Sequence, residues 1–224
     1  VTPIAQSSSC AREIWAVAVI FLILVADQIL KIYIKTNFRL GEMRQICGME
    51  WANLYFVENK GMAFGLDIVG GTILLCTFRI IAVALLAVFL MRIIKEKFQT
   101  GFILCICLVL AGAAGNIFDN IFYGAFFTES TPWRVATNVP FNEGYSTLFV
   151  GKVVDMFYFP IIRTVYPDWV PMLGGQQFVF FSPIFNFADA AITSGTLAVI
   201  LFYRKSLQKA YMLFERKKKS NDEG

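Results

Sequence analysis

Four stretches of this chain, at about residues 14–34, 72–91, 102–122 and 183–203, are apolar almost without a break. A hydrocarbon core of roughly 30 Å needs about 20 apolar residues of helix to cross it, and each stretch has that length. Backbone in lipid must satisfy its own N–H and C=O groups, which leaves only helices or a closed barrel. The period-two alternation of barrel strands is absent from these runs. The expected fold is therefore an all-α membrane protein with four transmembrane helices. Composition agrees, since 57% hydrophobic residues exceed what an ordinary soluble domain carries.

Basic residues set the orientation. Arg92, Lys95 and Lys97 lie between the second and third runs. Arg204, Lys205, Lys209, Arg216 and Lys217–Lys219 follow the fourth. The positive-inside rule makes both segments cytoplasmic, so four crossings put both termini on that side. The net charge of +4 is then an orientation signal, with no nucleic-acid partner implied, and the basic tail can touch anionic membrane lipid. The first run continues into Asp27 and Lys31 without a small-residue cleavage site, and reads as a retained anchor.

The two long connections, at about 35–71 and 123–182, face the other side. Residues 51–57 are β-prone and glycines follow at 61, 65, 70 and 71, which predicts a small extracytoplasmic β-cradle. The second connection is a long outer loop rich in aromatics; Trp133, Tyr158, Tyr166 and Trp169 suit the headgroup interface. We read residues 1–224 as one domain. Of the five cysteines, Cys76, Cys105 and Cys107 lie inside apolar runs, which speaks against a disulfide framework. No metal-ligand spacing is present, and no histidine exists to complete a zinc site. No metal or cofactor is expected.

Ionisable residues in a membrane segment are costly and point to function. Asp155 lies in KVVDMFYFP at 152–160, and Asp189 in FNFADAAIT at 185–193. Two carboxylates close together share a proton and can activate water. Without histidine, carboxylate chemistry is the leading catalytic option. Asn186 stands three residues before Asp189, on the same helical face. Asn116 and Asp119 likewise share a face with Gly112, in a small-residue segment suited to close helix packing. Asp27 and Lys31 are spaced to form an intrahelical ion pair or to meet substrate. The segment NKGMAFG at 59–65, with Asn59 and Gly65, reads either as a turn after a strand or as a close backbone approach. Arg79, inside the second run, pairs inward or snorkels.

In order, DQILK at 27–31, NKGMAFG at 59–65, GAAGNIFD at 112–119, VVDMFYFP at 153–160 and FNFADAAIT at 185–193 resemble the lipoprotein signal peptidase family, also called signal peptidase II. The resemblance implies a monomeric aspartic endopeptidase of the bacterial cytoplasmic membrane. Its substrate would be a diacylglyceryl-modified prolipoprotein, cut before the lipidated cysteine. Carried onto this chain, the catalytic pair is Asp155 and Asp189. Asp27, Lys31, Asn59, Gly65, Asn116, Asp119 and Asn186 become substrate-binding or supporting residues. One departure stands out: the family usually has arginine after the aspartate of its glycine–asparagine motif, and this chain has Asn120. Lys60 and Arg134 are the substitutes considered.

The competing class is a small transporter component that uses the acids as a proton or cation relay. It accounts for Asp27, Asp119 and Asp189, but not for two acids accompanied by an asparagine-rich motif and a cradle.

Overall fold

The structure, a computed structural model, describes residues 3–59 and 71–222. Three helices are long and apolar enough to cross a membrane: 11–37 within α1 (Pro3–Asn37), α2 (Gly71–Lys95), and 100–126, which begins with α3 (Thr100–Phe118). That last span continues through a π-helical turn, Asp119–Tyr123, into one further turn, α4 (Gly124–Phe126). A fourth candidate is broken. α5 (Phe187–Phe202) turns through 90° into α6 (Arg204–Asp222). The sequence predicted a fourth helix from about residue 183, yet α5 starts at Phe187. The preceding residues are drawn into a sheet instead.

That sheet joins four antiparallel strands in the order β1 (Met43–Gln45), β2 (Asn53–Asn59), β3 (Val153–Tyr158) and β6 (Ile184–Phe185). β4 (Ile162–Val165) and β5 (Gln177–Phe180) form a separate two-stranded ribbon. β2 falls where the β-prone stretch predicted it.

Contacts divide the described residues into two compact units. The first draws on the segments up to Gln28, Cys76–Ile117 and from Phe187 onward; the second draws on Ile29–Leu75 and Phe118–Asn186. In the first unit, Leu90, Ile93, Phe98, Phe102, Ile106 and Val199 pack a core. Phe21, Leu22, Phe78, Leu85, Leu201 and Phe202 point outward and stay exposed. An apolar exterior over an apolar core is what a helix bundle solvated by lipid needs. Close approach of α3 and α5 depends on Gly112, where a Cβ would stand 2.3 Å from the Ala188 carbonyl oxygen and 2.8 Å from Ile192 Cγ1. In the second unit, Ile34, Phe38, Phe56, Tyr123, Phe127, Val154 and Met156 make a separate core.

Candidate active site

Asp155 sits in the middle of β3, a strand buried along its first four residues. It pairs in register with Val57 of β2. Its carboxylate is only 6% exposed and accepts a hydrogen bond from Asn186 Nδ2 at 2.8 Å. Asn186 is fully buried. The residue before Asp155 is fixed as well: the Val154 N–H donates to Asp119 Oδ2 at 3.3 Å. Asp119 is neutralised by Lys31 at 2.8 Å, and both side chains are inaccessible to solvent. A chain of polar contacts therefore runs from α1 through the π-helical turn to the backbone beside Asp155.

Asp189 is organised in the same way within the first unit. It lies in the first turn of α5, where the helix dipole favours negative charge. Asn116 Nδ2 of α3 donates to its Oδ1 at 2.8 Å. The residue before it is again held by an acid, since the Ala188 N–H donates to Asp27 Oδ1 at 2.9 Å. This is one of the N–H groups that a helix start leaves without an intrahelical partner, so Asp27 caps α5 from a distant helix. Gln28 Nε2 donates to Asp27 Oδ2 at 3.1 Å and to the Gly115 carbonyl at 3.3 Å. Close packing at Gly115 permits this, because a Cβ there would meet Asp27 Oδ2 at 2.7 Å.

Each candidate catalytic acid thus carries an asparagine amide on its carboxylate, and a second acid grips the peptide N–H just before it. Asp189 and Asn116 also line a cavity of about 410 Å³, whose other walls are Ala82, Val83, Leu86, Val109, Ala113, Ile117 and Ile192, with Arg79 at its edge. This is an apolar groove with a few polar groups, the usual composition of a ligand site.

Comparison with known proteins shows the family. Residues 19–204 match the family described as Signal peptidase (SPase) II. A lipoprotein signal peptidase of Porphyromonas gingivalis is 42% identical over 85% of this chain and 83% of its own length. One from Amoebophilus asiaticus is 34% identical over 91% of this chain and 84% of its own. The chain belongs to the signal peptidase II family. A solved bacterial membrane enzyme shares the fold at a TM-score of 0.54 and 20% identity, over 87% of this chain and 90% of that one.

Membership in the signal peptidase II family makes this an aspartic-type signal peptidase. Its departure at Asn120 has a structural occupation. Asn120 is buried, its Nδ2 donates to the Gly151 carbonyl at 2.8 Å, and the Gly151 N–H returns a bond to the Asn120 carbonyl at 2.8 Å. Glycine is required at 151, since a Cβ there would stand 2.2 Å from the Asp119 carbonyl oxygen. The asparagine thereby ties the long connection down beside Asp119. Of the substitutes considered for the family arginine, Lys60 lies outside the described residues, as does the site candidate Gly65, and Arg134 is exposed. Asn59 ends β2, exposed, opposite Val153.

Sequence reasoning missed a second buried ionic cluster. Glu58 pairs with Lys35, accepts a bond from Ser130 Oγ at 2.8 Å and lies 3.4 Å from Lys152 Nζ. The Lys152 N–H donates to the Tyr145 hydroxyl at 2.7 Å, and burial pushes the Tyr145 phenol far above its ordinary value. The available signal was Lys35, one turn beyond Lys31 on the same face of α1. Gln28, within the DQILK segment, ties Asp27 to α3 through its two acceptors.

Proposed function

We propose that this protein is an intramembrane aspartic endopeptidase that removes the signal peptide from diacylglyceryl-modified bacterial prolipoproteins. It cuts the peptide bond before the lipidated cysteine, and Asp155 and Asp189 act as the catalytic pair. We read the chain as one peptidase domain, monomeric, in the bacterial inner membrane with both termini cytoplasmic. The observation that carries the catalytic assignment is the duplicated support: amide on carboxylate, and acid on the preceding N–H, at both aspartates. Chain connectivity adds to it. Asn186, bonded to Asp155, precedes Asp189 by three residues.

In this reading the pair holds one proton, because two adjacent carboxylates do not both ionise readily. The ionised member takes a proton from water as the oxygen adds to the scissile carbonyl carbon. The protonated member gives its proton to the carbonyl oxygen. The tetrahedral diol then collapses: one hydroxyl returns its proton to the ionised acid as the carbonyl re-forms, the C–N bond breaks, and the leaving nitrogen takes up a proton from the other acid, so the pair again holds one. Products are a signal peptide with a new carboxyl terminus and a lipidated cysteine with a free amine. Neither acid is singled out as the base. The apolar groove beside Asp189 receives apolar substrate, and Arg79 at its edge supplies positive charge near the reacting oxygen.

The test is cleavage of a purified diacylglyceryl-prolipoprotein, read by mass. The unchanged protein should release the signal peptide. Asp155→Asn and Asp189→Asn should each lose at least about a thousandfold in rate, the scale on which enzymes depend on an acid–base group and its electrostatics together. Retained cleavage by either variant, with the fold intact, refutes the pair. Proton or cation flux through the protein without cleavage supports the transporter reading.

A further inference from the structure

The elbow between α5 and α6 has the features of a lipid site that peptidase chemistry does not use. α6 leaves α5 at 90°, so a helix following a membrane span turns to run along the bilayer surface. One face of α6 is docked: Ala210 is buried, Leu213 packs on the core of the first unit, and Lys209 Nζ lies 5.1 Å from the Phe98 ring centre. The neighbouring face carries Leu207 and Tyr211, 43% and 62% exposed. In the angle of the elbow is a groove of about 960 Å³, lined by Ile200, Arg204, Lys205, Leu207, Gln208 and Tyr211. The lining has two cations, no acid and three apolar walls. Glu215 accepts a bond from the Tyr211 hydroxyl at 3.0 Å.

We propose that this groove binds one anionic phospholipid, with its phosphate at Arg204 and Lys205 and its acyl chains along Ile200, Leu207 and Tyr211. Charge complementarity selects an anionic headgroup, and the apolar walls select a lipid over a free phosphate. At the end of α5, next in sequence to Ile200, Leu201 and Phe202 are 67% and 77% exposed. The site has a mechanical consequence. The sixteen residues of α5 make about 24 Å of helix, less than a hydrocarbon core of roughly 30 Å. A short span is accommodated by thinning the bilayer or anchoring its ends, and a lipid clamp at the elbow anchors one end of a helix that packing on α3 already positions. Asp189 lies at the other end of α5, so the clamp helps hold that carboxylate at its depth. This last step rests on the catalytic reading of Asp189; the lipid site does not.

The experiment is native mass spectrometry of the full chain released from nanodiscs of phosphatidylcholine mixed with phosphatidylglycerol. One phosphatidylglycerol should be retained in preference to phosphatidylcholine. Arg204→Gln with Lys205→Gln should cut that preference about 25-fold, taking roughly fivefold for each cation at an anionic surface. Equal retention of the two lipids, or full preference in the double variant, overturns the proposal. A second measurement needs no variant. Spin-labelled phosphatidylglycerol should be immobilised by the unchanged protein more than labelled phosphatidylcholine, and the excess should fall with added salt. Absence of that excess overturns the proposal. Displacement by soluble glycerol phosphate would also overturn it, by reducing the groove to a headgroup contact. Cleavage is not read in these arms, so their failure and a failure of the protease reading are separate results.

Discussion

Replacing Asp119 by asparagine isolates the buried pair that supports β3. Lys31 Nζ and Asp119 Oδ2 stand 2.8 Å apart with both side chains fully inaccessible. Asparagine keeps an oxygen for the Val154 N–H, which now donates to Asp119 at 3.3 Å, and removes the negative charge while exchanging the other oxygen for an NH2 donor. Lys31 is then left as a buried charge without its counter-ion. The expected loss is about 3–5 kcal/mol, the usual penalty for breaking a buried pair from one side. The exposed pair Arg44–Glu42 is just as close at 2.7 Å, with side chains 48% and 30% accessible, and its removal should cost far less, because solvent screens exposed pairs. Similar distances and different costs separate burial from geometry. Combining Asp119→Asn with Lys31→Met removes both charges and should recover most of the loss, because well-packed neutral replacements of buried pairs are close to neutral. Unfolding free energies from SDS titration in mixed micelles would measure all four proteins as a double-mutant cycle. A loss for Asp119→Asn no greater than that for Glu42→Gln would refute the reasoning. So would a double variant no more stable than the worse single.

Four other outcomes follow from the geometry. Gly112→Ala should cost about 1–3 kcal/mol by overpacking, since the new methyl meets the Ala188 carbonyl; cleavage should fall with it because Ala188 adjoins Asp189, and unchanged stability in the SDS titration would contradict the close approach. Asn116→Ala and Asn186→Ala, which each remove an amide from a carboxylate, should lower kcat by roughly 10- to 1000-fold with KM little changed, by analogy with loss of one preorganised donor; an effect on KM alone would assign these residues to substrate binding. Arg79→Gln should lower kcat and move the pH–rate profile while Arg79→Lys restores part of both, and a profile that does not move would make Arg79 purely structural. Finally, the Arg39 backbone N–H, then Arg44, hold the exposed Glu42 carboxylate below its ordinary value of 4.5. Its folded-state value is the lower one, so its contribution is present above the ordinary value and fades as pH falls through the depressed one. NMR titration of the Glu42 carboxyl should find it below that of a reference peptide, and Glu42→Gln should flatten the acid side of the stability profile.

The sequence by itself determined what depends on local pattern. Hydropathy over about 20 residues located the membrane helices, because the cost of unsatisfied backbone in lipid leaves almost no alternative. The five short motifs carried the family, and the acids stood out because a charge in an apolar run is expensive wherever the chain folds. Residues 51–57 foretold β2. What tertiary structure decided was partnership. Spacing made Asp27 and Lys31 candidates for each other, yet Lys31 meets Asp119 and Asp27 caps the N–H of Ala188. Those contacts span 88 and 161 residues, beyond any local period. The start of α5 moved to Phe187 because Ile184 and Phe185 pair with β3, and pairing with a distant strand is invisible to a hydropathy window. Asn120 looked like a lost arginine until its amide was found on Gly151. Local pattern registers the price of placing a polar group among apolar neighbours; only the folded chain shows which distant group makes that placement stable.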